Sequence, residues 1–416
     1  MRNTPFWFVI IGLMLVLDFY VFQAIKVVNQ AASEKVRTIS NIIYWVLSVS
    51  ALLLFIALPY LNLDSISKGL RTVIFVMIAS VFFAKILVSL FLMIDDVRRG
   101  FQWVAGKLFF YNTEGEQMQE GQTINRSVFL SWLGLVTGGG LLGSLVYGFS
   151  NKYDYRVRKV PISFSNLPQA FRGLKIVQIS DVHSGSFHNK SAVQRGIEKI
   201  LKLQPDLILF TGDLVNGRAE EMANYKDIFS LLKAPLGVYS ILGNHDYGDY
   251  ETWSSKEQKV QNLEHVKAIH SEMGWRLLLN EHVVLEKNSE RMALIGVENW
   301  SAKANFPKYG RLEHAYSGAE EIPFKLLMSH DPSHWDAEVR TKYPDIDLML
   351  AGHTHGMQFG VELPWFRWSP VQYVYRQWAG LYEEGRQKLY VNRGFGFLGY
   401  PGRVGILPEI TLIELS

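Results

Sequence analysis

The first 150 residues contain four long apolar stretches, at residues 6–25, 41–61, 72–94 and 127–149. Each approaches the roughly 20 residues that an α-helix needs to cross the hydrocarbon core of a bilayer. The first stretch lacks a clear small-residue cleavage site and three more follow it, so we interpret it as a span rather than a signal peptide. The sequence therefore predicts a four-helix transmembrane anchor over residues 1–150, in a multi-pass protein of the plasma (inner) membrane.

The fourth apolar stretch is rich in glycine. It contains Gly134, Gly138, Gly139, Gly140 and Gly143. Small residues spaced four apart let helix backbones approach one another closely in a membrane. We therefore expect this helix to pack inside the bundle.

Two ionisable residues lie inside the predicted spans, Asp18 in the first and Lys85 in the third. The two helices run in the same direction and the two charges lie at similar depths. An isolated charge at the bilayer centre costs roughly 2.5–3.5 kcal/mol, so the two residues are expected to pair. The pair is either an ion pair that orders the bundle or part of a polar, proton-conducting site. Basic residues flank the spans in equal numbers on the two sides, so the positive-inside rule does not assign the side that holds the rest of the chain.

The composition of the chain excludes several kinds of chemistry. None of the 416 residues is cysteine, which excludes disulfides, thiolate metal ligands and cysteine nucleophiles. Any metal site must therefore use His, Asp, Glu, Asn or backbone oxygen. The formal net charge is only +3, so no nucleic-acid partner is expected. The oligomeric state stays open.

After residue 150 the pattern changes to short apolar runs separated by helical periodicities. Five buried strands are predicted, at Leu174–Ser180, Asp206–Thr211, Gly237–Leu242, Phe324–Ser329 and Asp347–Ala351. Alternation of strands and helices predicts βαβ units and a largely parallel sheet. Later runs around 275–285, 291–297 and 410–415 lack intervening helices. They predict added antiparallel strands, and therefore a mixed sheet or a sandwich.

Residues able to bind metals follow every one of these five strands. In chain order they are Asp181 and His183, Asp213, Asn244 to Asp246, His330 and Asp331, and His353 and His355. Ligands of open α/β sheets bind outside the carboxyl ends of the strands, so these groups are expected in one crevice. Each motif alone is weak evidence, because a strand-end Asp or Asn is commonly a turn residue. Five such motifs in succession predict a metal site.

The order Asp-x-His, Gly-Asp, Gly-Asn-His-Asp, His, Gly-His-x-His resembles the calcineurin-like metallophosphoesterase superfamily over residues 174–416. The segment Leu389–Leu415, with Asn392-Arg393-Gly394 and Pro408-Glu409-Ile410-Thr411, is similar to its membrane-tethered bacterial branch. The resemblance implies an α/β fold in which residues 174–416 form a four-layer α/β/β/α sandwich. Residues 151–173 are then a linker and lead-in strand.

The resemblance also implies a set of roles for these residues. One divalent ion would be held by Asp181, His183, Asp213 and His355, and a second by Asp213, Asn244, His330 and His353. The ions would be manganese, iron or zinc, with manganese favoured. Two ions roughly 3.5–4 Å apart clamp a phosphoryl group and lower the pKa of a bridging water, giving a hydroxide for in-line attack.

Two further residues receive catalytic roles from the same resemblance. His245 corresponds to a residue that contacts the phosphate and protonates the leaving oxygen; the alternative is a structural histidine. Asp246 is expected to orient His245, because a carboxylate can fix the tautomer of an imidazole.

The resemblance leaves the substrate open. The aromatic stretch Pro364–Trp368, followed by Tyr373, Tyr375 and Trp378, suits a bilayer interface, an acyl-chain pocket or a core hairpin. With the site held near a membrane, we expect a lipid-linked phosphoester or pyrophosphate, such as a phospholipid or a compound of the UDP-diacylglucosamine type. The alternatives are a phosphodiesterase or phosphatase for soluble substrates, and a membrane sensor or transporter with a regulatory phosphoesterase domain.

Overall fold

The computed structural model describes residues 5–61, 68–109, 125–303 and 306–416. The chain divides into two compact units, Met1–Tyr147 and Gly148–Ser416.

The first unit is built from long apolar helices. They are α1 (Pro5–Val28), α2 (Glu34–Ala57), α3 (Lys68–Phe109) and α4 (Val128–Gly148). All four are long and apolar enough to cross a membrane, which confirms the prediction of a multi-pass membrane protein. The 42 residues of α3 would extend about 63 Å, well beyond the roughly 30 Å of a bilayer core. After Lys85 the next charged residue of this helix is Asp95, which pairs with Arg98 at 2.8 Å.

The glycines of α4 do not all serve helix packing. A Cβ atom at Gly138 would lie 2.4 Å from Val88 Cγ2 and 3.0 Å from the Ala84 carbonyl oxygen on α3. A Cβ atom at Gly134 would lie 3.2 Å from Phe91 Cβ and 3.4 Å from the Val88 carbonyl oxygen, so α4 approaches α3 closely at these two residues, which are spaced four apart. Among the described residues, nothing lies within 4 Å of a Cβ atom at Gly139, Gly140 or Gly143, so these three glycines do not contribute to a close approach of α4 to the bundle.

The predicted pairing of Asp18 and Lys85 is confirmed. Lys85 Nζ contacts Asp18 Oδ1 and lies 2.7 Å from Ser48 Oγ on α2. The Tyr44 hydroxyl, also on α2, donates to the backbone carbonyl of Asp18 at 2.6 Å. The polar cluster therefore joins α1, α2 and α3.

The two charges of this cluster are expected to stabilise the bundle only as a pair. Lys85→Met leaves the Asp18 carboxylate unpaired at a cost of about 2.5–3.5 kcal/mol, because water is excluded around it. The double variant Asp18→Asn with Lys85→Met removes both charges and should recover most of the lost stability. Thermal unfolding of the full-length protein in detergent measures both effects. Equal unfolding temperatures for the wild type and both variants would contradict this role.

The second unit contains fourteen described strands. They are β1 (Arg156–Ile162), β2 (Lys175–Ile179), β3 (Leu207–Phe210), β4 (Val238–Ser240), β5 (Arg276–Leu277), β6 (Glu281–Lys287), β7 (Glu290–Gly296), β8 (Lys325–Met328), β9 (Leu348–Ala351), β10 (Val361–Leu363), β11 (Phe366–Trp368), β12 (Gly380–Glu384), β13 (Gln387–Val391) and β14 (Glu409–Leu415). One six-stranded sheet has the order β1-β14-β2-β3-β4-β5, and the other has the order β12-β13-β9-β8-β7-β6. Strands β10 and β11 form a separate hairpin.

Helices cover the outer faces of the two sheets. They are α5 (Lys190–Lys202), α6 (Lys226–Phe229), α7 (Lys256–Glu272), α8 (Leu312–Tyr316) and α9 (Arg340–Lys342), the last continuing a π-helical turn at Trp335–Val339. Successive residues of a strand point to opposite faces. Ile176 on β2 accordingly packs between the sheets with Leu294 of the other sheet, whereas Val177 packs with Ile197 of α5. The predicted four-layer α/β/β/α sandwich is confirmed.

The five predicted strands are found as β2, β3, β4, β8 and β9. The helix expected after β3 is only a 3₁₀ turn, Ala219–Asn224, followed by the four residues of α6. The antiparallel prediction holds where β14 pairs with β2 and β6 pairs with β7. It is wrong for β5, which pairs parallel with β4, for β7 beside β8, and for β14 beside β1. The connection from β4 to β5 contains the long helix α7, which was not predicted from the sequence, whereas the connection from β7 to β8 contains only the short helix α8 and is still parallel.

Candidate metal centre

The carboxyl ends of five strands bring all seven predicted metal-binding residues together. They are Asp181 and His183 after β2, Asp213 after β3, Asn244 after β4, His330 after β8, and His353 and His355 after β9. Six of them form two clusters of three, and within each cluster the ligand atoms lie within 4.8 Å of one another.

The first cluster consists of Asp181, His183 and His355. His355 Nε2 lies 3.0 Å from His183 Nε2 and 3.3 Å from Asp181 Oδ1. Two imidazole nitrogens that face each other beside a carboxylate leave lone pairs directed at one point. This is an arrangement suited to a cation.

The second cluster consists of Asp213, His330 and His353, and Asn244 lies between its two histidines. Asn244 Oδ1 is 2.8 Å from His353 Nδ1 and 3.2 Å from His330 Nε2. Asp213 Oδ2 is 3.2 Å from His330 Nε2 and 3.5 Å from His183 Nε2 of the first cluster. Asp213 therefore stands where one carboxylate reaches both clusters.

The donor set fits divalent metal ions. Asp181 and Asp213 are almost completely buried, yet among the described residues neither forms an ion pair with a lysine or arginine. Burial of a carboxylate is costly, and among the described residues only histidines lie within ion-pair distance of these two, so this geometry calls for further positive charge. Carboxylate, amide oxygen and imidazole are ligands that manganese, iron and zinc all accept.

Backbone strain is concentrated at the same positions. Five of the seven residues have a positive φ: Asp181 (53°), His183 (47°), Asp213 (62°), His353 (71°) and His355 (51°). Residues other than glycine adopt this left-handed region at a cost, and such strain clusters at functional sites. The fold holds these side chains in the centre at some expense in stability.

Gly352 lets the two sheets approach closely beside the first cluster. A Cβ atom there would lie 2.0 Å from Ser180 Oγ and 2.2 Å from Asp181 Oδ2. The glycine that opens the Gly-His-x-His motif is therefore required by the position of the Asp181 carboxylate.

Gly352→Ala is expected to displace Asp181 and weaken metal binding at the first cluster. Changes just outside a metal's ligands typically cost roughly 10–100-fold in affinity or activity. Elemental analysis and hydrolysis of a soluble aryl phosphodiester by the full-length protein measure the effect. Gly139→Ala is the control, since its Cβ would lie within 4 Å of none of the described residues. Identical metal content in the two variants would contradict the assigned role of Gly352.

Two family models match this chain. "Probable Calcineurin-like phosphoesterase, transmembrane domain" matches residues 1–152, and "Calcineurin-like phosphoesterase" matches residues 174–357. The chain belongs to the calcineurin-like phosphoesterases. The family predicted from the order of the motifs is thus confirmed.

Curated relatives of this phosphoesterase include membrane proteins and bacterial enzymes. A zebrafish (Danio rerio) "Transmembrane protein with metallophosphoesterase domain" is 30% identical over 65% of this chain and 60% of its own length. The Bacillus subtilis "Uncharacterized metallophosphoesterase YkuE" is 29% identical over 70% of this chain and 98% of its own. The Chlamydia trachomatis "UDP-2,3-diacylglucosamine pyrophosphatase LpxG" is 26% identical over 61% of this chain and 88% of its own. The chain thus spans less than two thirds of the zebrafish relative and most of the two bacterial ones.

The charges in the phosphoesterase site shift the pKa values of its members. Burial by itself raises the pKa of Asp213, but His330 and His245 override it and hold the pKa well below the usual range. Burial lowers the pKa of His330, yet the Asp213 carboxylate overrides this effect and raises it to about 10. Without a metal ion, Asp213 and His330 therefore form an ion pair.

Metal binding at the second cluster should release a proton from His330. At pH 7, below its raised pKa of about 10, this imidazole is protonated, and a metal ion needs the lone pair on Nε2. Titration calorimetry of manganese into the metal-free full-length protein, in buffers of different ionisation enthalpy, measures the protons released. We expect release at pH 7 and affinity that increases with pH. Binding without proton release would contradict His330 as a ligand.

His245 lies beside the metal centre but outside both clusters. Its Nδ1 lies 2.8 Å from the Asn216 carbonyl oxygen, and its backbone N–H donates to Asp213 Oδ1 at 2.8 Å. A carbonyl oxygen accepts only, so Nδ1 carries a hydrogen and Nε2 is the atom available for proton transfer. The His183 ring is 4.9 Å away, centroid to centroid, which places His245 next to the first cluster.

The prediction that Asp246 orients His245 is wrong. The buried Asp246 carboxylate instead accepts backbone N–H bonds from Asp213 (2.9 Å), Leu214 (2.8 Å) and Gly243 (2.8 Å). Burial, followed by the charge of Asp213, raises the pKa of Asp246 to about 7, and the backbone donors act in the opposite direction. Asp246 therefore shapes the loops that carry Asp213 and Asn244, while the Asn216 carbonyl orients His245.

Sequence reasoning missed three residues that support the site. The Tyr375 hydroxyl lies 2.8 Å from His353 Nε2 and donates to Asp331 Oδ2 at 3.2 Å. The Tyr250 hydroxyl accepts the Asn244 side-chain N–H at 3.0 Å, which turns Asn244 Oδ1 towards the histidines. Asp331 belongs to the strand-end motif that begins with His330, but the sequence alone assigned it no role in the site. Neither tyrosine stands in a strand-end motif, and Tyr375 was noted only as part of the aromatic stretch, so the sequence did not connect either residue with the metal site.

Proposed function

We propose that this protein hydrolyses a phosphoester or phosphoanhydride bond with two divalent metal ions. The observation that carries the proposal is the pair of adjacent clusters, with Asp213 Oδ2 facing His183 of one and His330 of the other. Asp181, His183, Asp213 and His355 would hold one ion, and Asp213, Asn244, His330 and His353 the other. Manganese, iron and zinc all accept these donors, and manganese is our first choice among them.

The surrounding side chains orient the metal-binding side chains and fix their donor atoms. His353 Nε2–H donates to Tyr375, which leaves the Nδ1 lone pair beside Asn244 Oδ1 for the ion. Tyr250 holds the Asn244 amide so that its oxygen, and not its nitrogen, faces the site. Such outer contacts fix the orientation and tautomer of metal ligands.

The chemistry divides between the metal ions and His245. When bound, two divalent ions polarise a phosphoryl group and lower the pKa of a water molecule, which provides the nucleophile. His245, with Nδ1–H held by the Asn216 carbonyl, presents Nε2 to the substrate. We assign it the donation of a proton to the leaving oxygen, which converts a poor leaving group into a neutral hydroxyl.

A lipid-linked pyrophosphate of the UDP-diacylglucosamine type is the substrate that we propose. Its support is the chlamydial relative, which is named as a pyrophosphatase for this compound, together with the apolar helices of the first unit. Helical spans are typical of inner rather than outer bacterial membranes, so we propose the plasma (inner) membrane as the location. A substrate confined to the same bilayer is presented at high effective concentration.

The substrate proposal is tested by comparing two compounds that share the reacting bond. Purified full-length protein, loaded with manganese, is given UDP-2,3-diacylglucosamine in mixed micelles or UDP-N-acetylglucosamine in solution. We expect cleavage of the lipid to a lipid monophosphate and UMP, detected by mass spectrometry, and little cleavage of the soluble compound. Equal kcat/KM values would contradict a lipid substrate. Hydrolysis of a simple aryl phosphodiester alone would leave the phosphoesterase assignment standing but reject this pyrophosphate.

A further inference from the structure

The hairpin of β10 and β11 has its charged side towards the protein and its apolar side towards solvent. Its register pairs Val361 with Trp368, Glu362 with Arg367, and Leu363 with Phe366. Residues directly opposite each other in an antiparallel pair share a face, and successive pairs alternate faces. Glu362 and Arg367 thus form one face. The usual surface hairpin of a soluble protein has the reverse arrangement, apolar side in and polar side out.

Contacts on the charged face hold the hairpin in this orientation. Glu362 accepts a hydrogen bond from the buried Arg393 at 2.6 Å. Arg367 donates to the Ala379 carbonyl at 2.5 Å, and its guanidinium lies 5.0 Å from the ring centroid of the buried Trp378. Contacts with the rest of the fold therefore fix the hairpin with its apolar side outwards.

The outward side is a contiguous apolar surface. We call Val361, Leu363, Trp365 and Phe366 the apolar hairpin face; their exposed fractions are 42%, 44%, 81% and 45%. The aromatic stretch noted in the sequence is thus divided, with Tyr375 and Trp378 buried and Trp365 and Phe366 exposed. Exposed apolar clusters of this kind mark sites of interaction with a partner or a membrane.

The positive charge of arginines beside this face indicates the chemistry of its partner. Arg156, Arg158 and Arg367 line an open groove of about 730 Å³ together with Trp365 and Glu362. Arg158 pairs with Glu362 and Arg156 pairs with Asp154 at 2.6 Å, but among the described residues three arginines and only one carboxylate line the groove, so its lining is basic. Tryptophan is enriched at membrane interfaces, where its amphipathic ring lies at headgroup level. Basic side chains next to it attract anionic headgroups. Apolar aromatic residues bordered by arginines suit an anionic bilayer surface.

Chain connectivity limits how far this groove can lie from a bilayer. The apolar helix α4 ends at Gly148 and β1 begins at Arg156, which lines the groove, so seven residues (149–155) lie between them. A chain segment of this length spans at most about 25–30 Å when fully extended.

We propose that the apolar hairpin face inserts into the headgroup region of the bilayer that the helices span, with Arg156 and Arg158 on anionic phospholipid. Amphipathic surfaces of this kind penetrate about 5–10 Å, to the boundary of the acyl chains. The proposal is independent of which phosphoester the site cleaves.

The absence of cysteine from the chain makes a direct test simple. Trp365→Cys in the full-length protein is labelled with a nitroxide and reconstituted into nanodiscs of phosphatidylcholine and phosphatidylglycerol. The accessibility of the label to oxygen, which partitions into lipid, is compared with its accessibility to a water-soluble nickel chelate. Val260→Cys on α7, which is 60% exposed, is the matched control.

We expect the label at 365 to show a higher oxygen-to-nickel accessibility ratio than the label at 260. We also expect its ratio to fall towards that of 260 in nanodiscs without phosphatidylglycerol. Equal ratios at the two positions would overturn the proposal. Dipolar broadening between labels at 365 in discs holding two copies would also overturn it, because it would assign this face to a second copy of the chain. If the oxygen-to-nickel ratio at 365 is elevated but does not depend on phosphatidylglycerol, the proposed contact between the arginines and anionic lipid would be overturned.

Discussion

Asp213→Asn is expected to reduce hydrolysis by orders of magnitude and to lower the metal content from about two ions per chain. Asp213 Oδ2 faces His183 in one cluster and His330 in the other, so one substitution weakens both. An amide nitrogen carries hydrogen where the carboxylate offered a lone pair, and the shared negative charge is lost. Elemental analysis and the rate on a soluble aryl phosphodiester measure the two effects.

The fold should survive this substitution, because asparagine keeps an oxygen to accept the His245 backbone N–H that Asp213 Oδ1 accepts. Circular dichroism of the full-length variant checks the fold. Asp227→Asn is the matched control, since Asp227 lies on α6 with an exposed side chain. Retention of two metal ions and normal activity in Asp213→Asn would reject the bridging role.

His245→Ala is expected to lower turnover by about 10²–10⁴-fold while leaving the metal content unchanged. His245 belongs to neither cluster, and its Nδ1 is engaged by the Asn216 carbonyl. The loss should shrink for aryl phosphodiesters with good leaving groups, because an acidic phenol departs without protonation. We therefore measure how turnover depends on the pKa of the leaving group in the wild type and in the variant. This dependence distinguishes a proton donor from a structural residue.

His265→Ala, at an exposed position on α7, controls for the loss of a histidine and should match the wild type. A fall in metal content in His245→Ala would instead identify His245 as a ligand. The same loss across all leaving groups would show that His245 positions the phosphate without donating a proton.

Much of this molecule could be predicted because its signals are local in the sequence. Apolar runs of bilayer length are sufficient to identify α1 to α4. The short runs that became β2, β3, β4, β8 and β9 each end in a motif, and parallel strands place such ends at one edge of a sheet. The family was evident from the order of those motifs, before any geometry was known.

The residues that sequence reasoning missed owe their roles to contacts between distant segments. Tyr375 follows His353 by 22 positions in an irregular stretch, and nothing local indicates that its hydroxyl reaches His353 and Asp331. Asp246 shows the opposite error. It is adjacent to His245 in the chain, but neighbouring side chains in a turn diverge, and the carboxylate faces backbone donors instead.

The inverted hairpin could not be predicted for a similar reason. The alternation of Val361, Glu362 and Leu363 is the pattern of a half-buried strand, but this pattern does not indicate which side of the strand is buried. Arg393 and Ala379, which engage the charged side, lie on later segments of the chain. Contacts between distant segments of the chain thus determine the orientation of the hairpin.

The central claim is that two metal ions, held by the five strand ends, carry out phosphoester hydrolysis. The most direct test titrates manganese into metal-free full-length protein and follows hydrolysis of a soluble aryl phosphodiester. We predict negligible activity without metal and a maximum at about two bound ions per chain, since both clusters must be filled. Activity that is maximal at one ion, or independent of metal, would contradict the claim.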